Sequence, residues 1–130
     1  MRLAPVIVLT AALGFGLACG DSTGTVAECT GPVTVTAGTG GTMPTFQWSP
    51  ACRLFEVAVE DSLHALLWFT RSSSANRIAP PVTYGTAPQG ADHTTSPPET
   101  LQSGRSYRAE VVLYISDDSA PVIGNASFRP

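Results

Sequence analysis

Tyr107 to Ser116 reads YRAEVVLYIS, and the fold turns on it. Successive side chains of an extended chain point to opposite faces, so a period of two marks a strand with one buried side. Here Tyr107, Ala109, Val111, Leu113 and Ile115 share one face, with Arg108 and Glu110 on the other. β-branched and aromatic residues suit a pleated, half-buried surface. Asp117 to Pro121 (DDSAP) supplies turn residues, and Val122 to Phe128 (VIGNASF) returns the chain beside the first strand.

Upstream the same signals recur at short intervals. Leu54 to Glu60 (LFEVAVE) alternates Phe55, Val57 and Val59 against Glu56, Ala58 and Glu60. Ala65 to Thr70 (ALLWFT) is a continuous apolar run that Arg71 to Ser74 ends too early for a helix. Val82 to Gly85 (VTYG) follows Pro80-Pro81 as a short edge strand, and Gln89 to Glu99 (QGADHTTSPPE) reads as a polar loop. Pro32 to Ala37 (PVTVTA) and Thr45 to Ser49 (TFQWS) alternate again around the turn cluster GTGGTMP. The expectation is an all-β chain: a single small antiparallel β-sandwich of about seven strands over residues 32–130.

The chain has 130 residues, room for one domain, and carries only 13% charged residues. Its net charge is −3 and its arginines are scattered, which gives no basic stripe for nucleic acid.

Leu101-Gln102-Ser103-Gly104-Arg105-Ser106-Tyr107-Arg108-Ala109-Glu110-Val111 resembles the approach to the penultimate strand in fibronectin type III and immunoglobulin-like domains. The resemblance implies that Leu101 packs inward, Gly104 relaxes the turn and the Tyr107 hydroxyl bonds back to the backbone as a tyrosine corner. Trp48 falls where the family keeps a core tryptophan on its second strand. The fold implies no single activity, because function resides in grafted sites.

Three cysteines remain to be read: Cys19, Cys29 and Cys52. A hairpin folded about Gly40-Gly41 brings Cys29 and Cys52 level at its open end. A disulfide there closes a loop of about two dozen residues and stabilises by roughly 3 kcal/mol in the chain-entropy model. A metal site with distant histidines, or two separate thiols, are the alternatives.

Cys19 ends an apolar run from Leu3 to Leu17 that follows Arg2. Fifteen residues at about 1.5 Å each reach roughly 22 Å, short of a bilayer's ~30 Å hydrocarbon core. Such a segment reads as a secretory signal, with cleavage near Ala18 or a short membrane helix as the plainer outcomes. Gly16-Leu17-Ala18-Cys19 resembles the lipobox of bacterial lipoproteins, although Gly16 stands where Leu is commoner. The resemblance implies removal of residues 1–18 and acyl chains on Cys19, including palmitate-like ones. Residues 19–31 then form the lipidated cysteine and a flexible tether. The implied location is the extracytoplasmic cell envelope, bound to a membrane through Cys19. Gly20 follows the cysteine and Asp21 comes one place later, which favours the outer over the inner membrane.

Catalytic chemistry finds little support. A serine nucleophile needs a base within reach; His64 sits in a turn and His93 in a polar loop, and no Gly-x-Ser-x-Gly elbow occurs. Glu56, Glu60 and Glu110 suit a solvent face, and Asp117-Asp118 offers too few acids for the oxygen shell of Ca²⁺. No cofactor is expected. Trp68, Tyr84 and Tyr114 are the candidate ligand contacts, since exposed rings stack on sugars or anchor partners. Asn125-Ala126-Ser127 matches a glycosylation sequon, a signal of little weight in a bacterial lipoprotein. The expected function is a non-catalytic envelope module that docks protein or glycan through a sheet edge or loops. A carbohydrate-binding module is the second reading, and a small enzyme or metal-binding domain the third.

Overall fold

The computed structural model describes residues 25–38 and 41–130. The expected signal segment, Cys19, the part of the expected tether before Thr25, and Thr39-Gly40 lie outside the described residues. Every regular element among the described residues is a strand: β1 (Thr34–Ala37), β2 (Thr45–Ser49), β3 (Glu56–Asp61), β4 (Leu66–Arg71), β5 (Val82–Thr83), β6 (His93–Thr94), β7 (Tyr107–Val112) and β8 (Val122–Phe128). They form two antiparallel sheets, β1-β2-β5 and β6-β4-β3-β7-β8, packed as a small β-sandwich.

The alternation seen in the sequence fills the space between the sheets. Val35, Phe46, Trp48 and Val82 point inward from the small sheet; Val57, Val59, Trp68, Ala109 and Val111 do so from the large one. Full burial of one such side chain contributes about 1.5–3 kcal/mol. Aromatic contacts join the two layers. Phe46 meets Phe128 edge-on with ring centres 5.4 Å apart, and Trp68 lies 5.2 Å from Tyr84.

Cys29 and Cys52 form a disulfide with a Cα–Cα distance of 4.9 Å. β1 and β2 pair from Thr34 opposite Ser49 to Ala37 opposite Phe46, and Gly38 N–H closes the ladder on Thr45 C=O at 2.7 Å. Gly41 takes φ +84° in the intervening turn, a conformation open to glycine. The Trp48 indole N–H donates to Cys52 C=O at 2.7 Å, which fixes the tryptophan beside the disulfide.

The Leu101–Tyr107 corner has the geometry its residues imply. Leu101 is buried, Gly104 has φ +79°, and the Tyr107 hydroxyl accepts a hydrogen bond from Gln102 N–H at 2.8 Å.

Four expectations need correction. First, β7 ends at Val112, not Ser116. Its register with β8 shifts between Val111 and Val112, and the buried Asn76 amide then takes over the backbone of Tyr114. Asn76 Oδ1 accepts from Tyr114 N–H at 2.8 Å and Nδ2 donates to Tyr114 C=O at 2.9 Å. Ile115 consequently leaves the buried row and is 61% exposed. Second, the region read as a polar loop contains β6, which pairs with Thr70 and Arg71; the eight strands otherwise agree with the expected sandwich of about seven. Third, β3 starts at Glu56, because Leu54 exchanges two backbone bonds with Ile78 instead. Fourth, the domain begins before residue 32. Arg53 N–H donates to Ala27 C=O at 2.7 Å and Cys29 N–H to Arg53 C=O at 2.8 Å, so residues 27–29 belong to the fold rather than the tether.

Candidate functional site

Three connections converge at the end of the sandwich that holds the disulfide. They are the β2–β3 segment around Arg53 to Phe55, the β4–β5 segment around Ser72 to Ile78, and the β7–β8 hairpin. The bonds already given for Leu54–Ile78 and Asn76–Tyr114 tie them together, and Ser72 N–H adds a 2.9 Å bond to Phe55 C=O. These are backbone groups and a buried amide, so the base of this surface is held in place by neighbours with few alternative partners.

An apolar patch sits on that base. Phe55 and Tyr114 lie 5.5 Å apart, tilted by 43°, and both are half-buried. Ile115 and Val122, the latter 45% exposed, are further exposed apolar side chains of the same hairpin. The Tyr114 hydroxyl donates to Asp117 Oδ1 at 2.6 Å. The hydrogen bond to that carboxylate pushes the Tyr114 phenol above its ordinary value. Single exposed apolar side chains are ordinary on a protein surface, whereas several on one connection above an anchored base make it a candidate interaction site.

Beside it runs an open groove of about 950 Å³ whose walls include Arg53, Arg77, Pro80, Pro81, Thr83 and Pro88. Its arginines serve the fold. Arg53 lies 4.0 Å from Glu28, and Arg77 pairs with Asp92. Asp92 also accepts from Ser73 N–H at 2.7 Å, and the Ser73 bond with the Arg77 guanidinium holds its carboxyl below the usual carboxylate range. Gly90 makes this packing possible: it has φ +92°, and a Cβ there would stand 2.3 Å from Arg77 C=O.

Of the three rings expected as ligand contacts, the structure leaves only Tyr114 at the surface. Trp68 and Tyr84 are fully buried and stack on each other in the core. The pairing of Val59 with Trp68 and Val57 with Thr70 turns Trp68 inward and puts Leu67 and Phe69 on the outer side. Tyr84 donates its hydroxyl to Glu99 C=O at 2.6 Å, and burial pushes its phenol up to about 12. The three rings therefore make no common platform. Phe55, which the sequence reading placed in the core, is the ring that partners Tyr114. The adjacent Leu54 was the available signal, since two neighbouring large apolar residues cannot both face one side of a strand.

The titratable residues stay apart. His64 is at the tip of the β3–β4 hairpin with φ +63°, its Nδ1 3.2 Å from Glu60 Oε2 and its ring open to solvent. His93 is exposed on β6. On the outer side of the large sheet Arg71 lies 3.8 Å from Glu56 and stacks over Phe69, while Arg108 lies 3.1 Å from Glu110. Among the described residues no group of three or more His, Cys, Asp or Glu is placed to hold a metal ion. No helix among them is long and apolar enough to cross a membrane.

No protein-family model, curated protein or solved structure matches this chain.

Proposed function

We propose that this chain is a lipid-anchored cell-envelope protein whose β-sandwich is a non-catalytic docking module for a protein partner. The observation that carries the docking reading is the patch of Phe55, Tyr114, Ile115 and Val122 on a rigid base at the disulfide end. Partner binding concentrates on a few large apolar and aromatic anchors within a polar rim. The 43° tilt between Phe55 and Tyr114 makes no flat platform of the kind that stacks on successive sugar rings, and the protein reading is preferred on that ground. Kinship with fibronectin type III or immunoglobulin-like domains is part of the proposal. In its support, β1, β2 and β5 share one sheet and β3, β7 and β8 the other, the partition of strands A, B, E and C, F, G in those sandwiches. In that scheme the β7–β8 hairpin is the F–G loop, a place where such domains bind.

The anchor rests on Gly16-Leu17-Ala18-Cys19 and the apolar run before it. Two or three acyl chains hold a protein at a bilayer where one does not. An outer-membrane address follows from Gly20.

Crosslinking on cells followed by capture from the membrane fraction tests the docking site. Ile115→Asp should lose the captured partner, while Leu63→Asp, at the far end of the sandwich, should keep it. Equal capture by both variants would overturn the assignment of the patch. The anchor has its own readout: Cys19→Ser should abolish processing and acyl mass and release the protein from membranes.

A further inference from the structure

The outer strands of the two sheets differ in how their free edges are guarded. Exposed edges invite another strand, and proteins block them with proline, charge or very short strands. β5 is two residues long and follows Pro80-Pro81; β6 is also two residues long, preceded by Asp92 and followed by Pro97-Pro98. β1 is entered through Pro32, and its outward Val33 N–H is bonded to Ile123 C=O at 3.0 Å. β8 is seven residues long, VIGNASF, with neither charge nor proline inside it; Pro121 precedes it and Arg129-Pro130 follow, so its difference from the other edges is its length.

The ladder shows which β8 groups face that edge. Phe55 N–H bonds to Val112 C=O, so Val112 directs its backbone toward β3; Leu113 N–H bonds to Pro121 C=O, so Leu113 directs its backbone toward the β8 side. Alternation along β7 then turns Glu110 and Arg108 toward β3. Asn125 lies opposite Glu110 and Ser127 opposite Arg108, so both carry their N–H and C=O groups away from β7. Among the described residues these four groups have no backbone partner, and both residues are exposed. The Val33 bond to Ile123 closes the edge at one end, which leaves residues 124–128 open.

We propose that two copies of this chain pair antiparallel through residues 124–128, with the two-fold axis at Ala126, to form one continuous ten-stranded sheet. In this register Asn125 exchanges two backbone bonds with Ser127 of the second copy, and Ser127 does the same with its Asn125. All four free groups are used, and none competes with Val33. The outer-face charges are compatible with the same register. On the outer face Arg108 lies beside Ser127 and Glu110 beside Asn125. An axis at Ala126 aligns the Arg108–Ser127 row with the Asn125–Glu110 row of the second copy, opposite charge toward opposite charge. An axis at Asn125 would align Glu110 with Glu110 and set Ser127 against the occupied Ile123; an axis at Ser127 would align Arg108 with Arg108. Such a two-fold contact is isologous and closes after two copies.

The full chain in detergent, followed by light scattering with the detergent mass subtracted, should give twice the chain mass. Ser127→Pro removes one outward N–H without touching the β7 ladder, and should halve that mass. Ala126→Cys places two thiols on the axis, at a non-hydrogen-bonded pair where Cα atoms approach to about 4.5 Å, close enough for a disulfide. It should cross-link to a dimer on mild oxidation, whereas Ser127→Cys, which faces Asn125 instead of itself, should not; the unsubstituted chain is the blank. A mass of one chain would overturn the proposal. So would a dimer that Ala126→Cys fails to link, or one that persists in folded Ser127→Pro. If Ser127→Pro does not fold, the Ala126→Cys linkage decides the question.

Discussion

The two sheets are built on different terms. The large sheet rests on long ladders: β3 pairs with β7 through six residue pairs, and β7 with β8 through six. The small sheet has four pairs between β1 and β2 and two between β2 and β5. Their outer sides differ as well. Thr34, Thr36, Gln47 and Ser49 give the small sheet an uncharged surface, whereas Glu56, Glu60, Arg71, Arg108 and Glu110 line the large one. Short two- and three-stranded pieces are marginal alone. The small sheet offsets this with pins: the Cys29–Cys52 bond, the Trp48 indole on Cys52 and the Tyr84 hydroxyl on Glu99. One layer holds by ladder length, the other by point attachments.

The largest effect should come from the residue both layers share. Trp68→Ala removes a fully buried ring that touches Tyr84. It should cost about 3–5 kcal/mol in denaturant unfolding and melt both sheets together. Loss of the small sheet alone would break the idea of a common core.

Next comes the covalent pin. The double variant Cys29→Ala with Cys52→Ala should lose roughly 3 kcal/mol. Amide exchange should quicken more in β1 and β2 than in β3 and β7. Equal acceleration in all four strands would erase the distinction between the layers. On the large sheet, Tyr107→Phe deletes the acceptor for Gln102 N–H and should cost about 1 kcal/mol. Its exchange effect should centre on the β6–β7 connection, away from the disulfide.

Alkaline titration sharpens the contrast further. Tyr84 has its phenol raised from 10.0 to about 12, first by burial and then by Glu99. The folded state therefore holds this proton more tightly than the unfolded one. The stabilisation is fully present below pH 10 and disappears as pH rises toward 12. Tyrosine absorbance should show a phenolate forming toward pH 12 that is absent from Tyr84→Phe. The smallest effect belongs to Glu56. Burial raises its pKa, Arg71 opposes this and Glu110 adds to it. A raised folded value means that the charged form weakens the fold at neutral pH, a cost that fades as pH falls toward 4.5. Glu56→Gln should flatten the acid side of the stability profile; an unchanged profile would assign the effect elsewhere.

The sequence exposed those parts of the molecule whose signal is local. The period-two runs located β2 and the start of β7, the DDSAP turn located β8, the Cys29–Cys52 spacing located the disulfide, and Leu101, Gly104 and Tyr107 located the corner. What escaped depends on contacts between distant segments. Trp68 lies among Leu66, Leu67 and Phe69, so periodicity gives no parity, and only the pairing with Val59 sets it inward. The end of β7 depends on Asn76, 38 residues away, whose amide imitates a strand. That same bond frees Ile115 for the surface. The proposed docking patch was thus half legible: Tyr114 stood out as an aromatic of open orientation, whereas Phe55 was hidden by an alternation that breaks at Leu54.

The attachment of residues 27–29 to Arg53 and Cys52 has a mechanical meaning. Traction on the chain ahead of Ala27 passes through the sulfur bridge from Cys29 directly to Cys52. The intervening β1–β2 hairpin lies off that load path and feels little of the force. Rupture under tension must begin beyond Cys52, so the domain yields from its large sheet while the stapled ribbon stays intact.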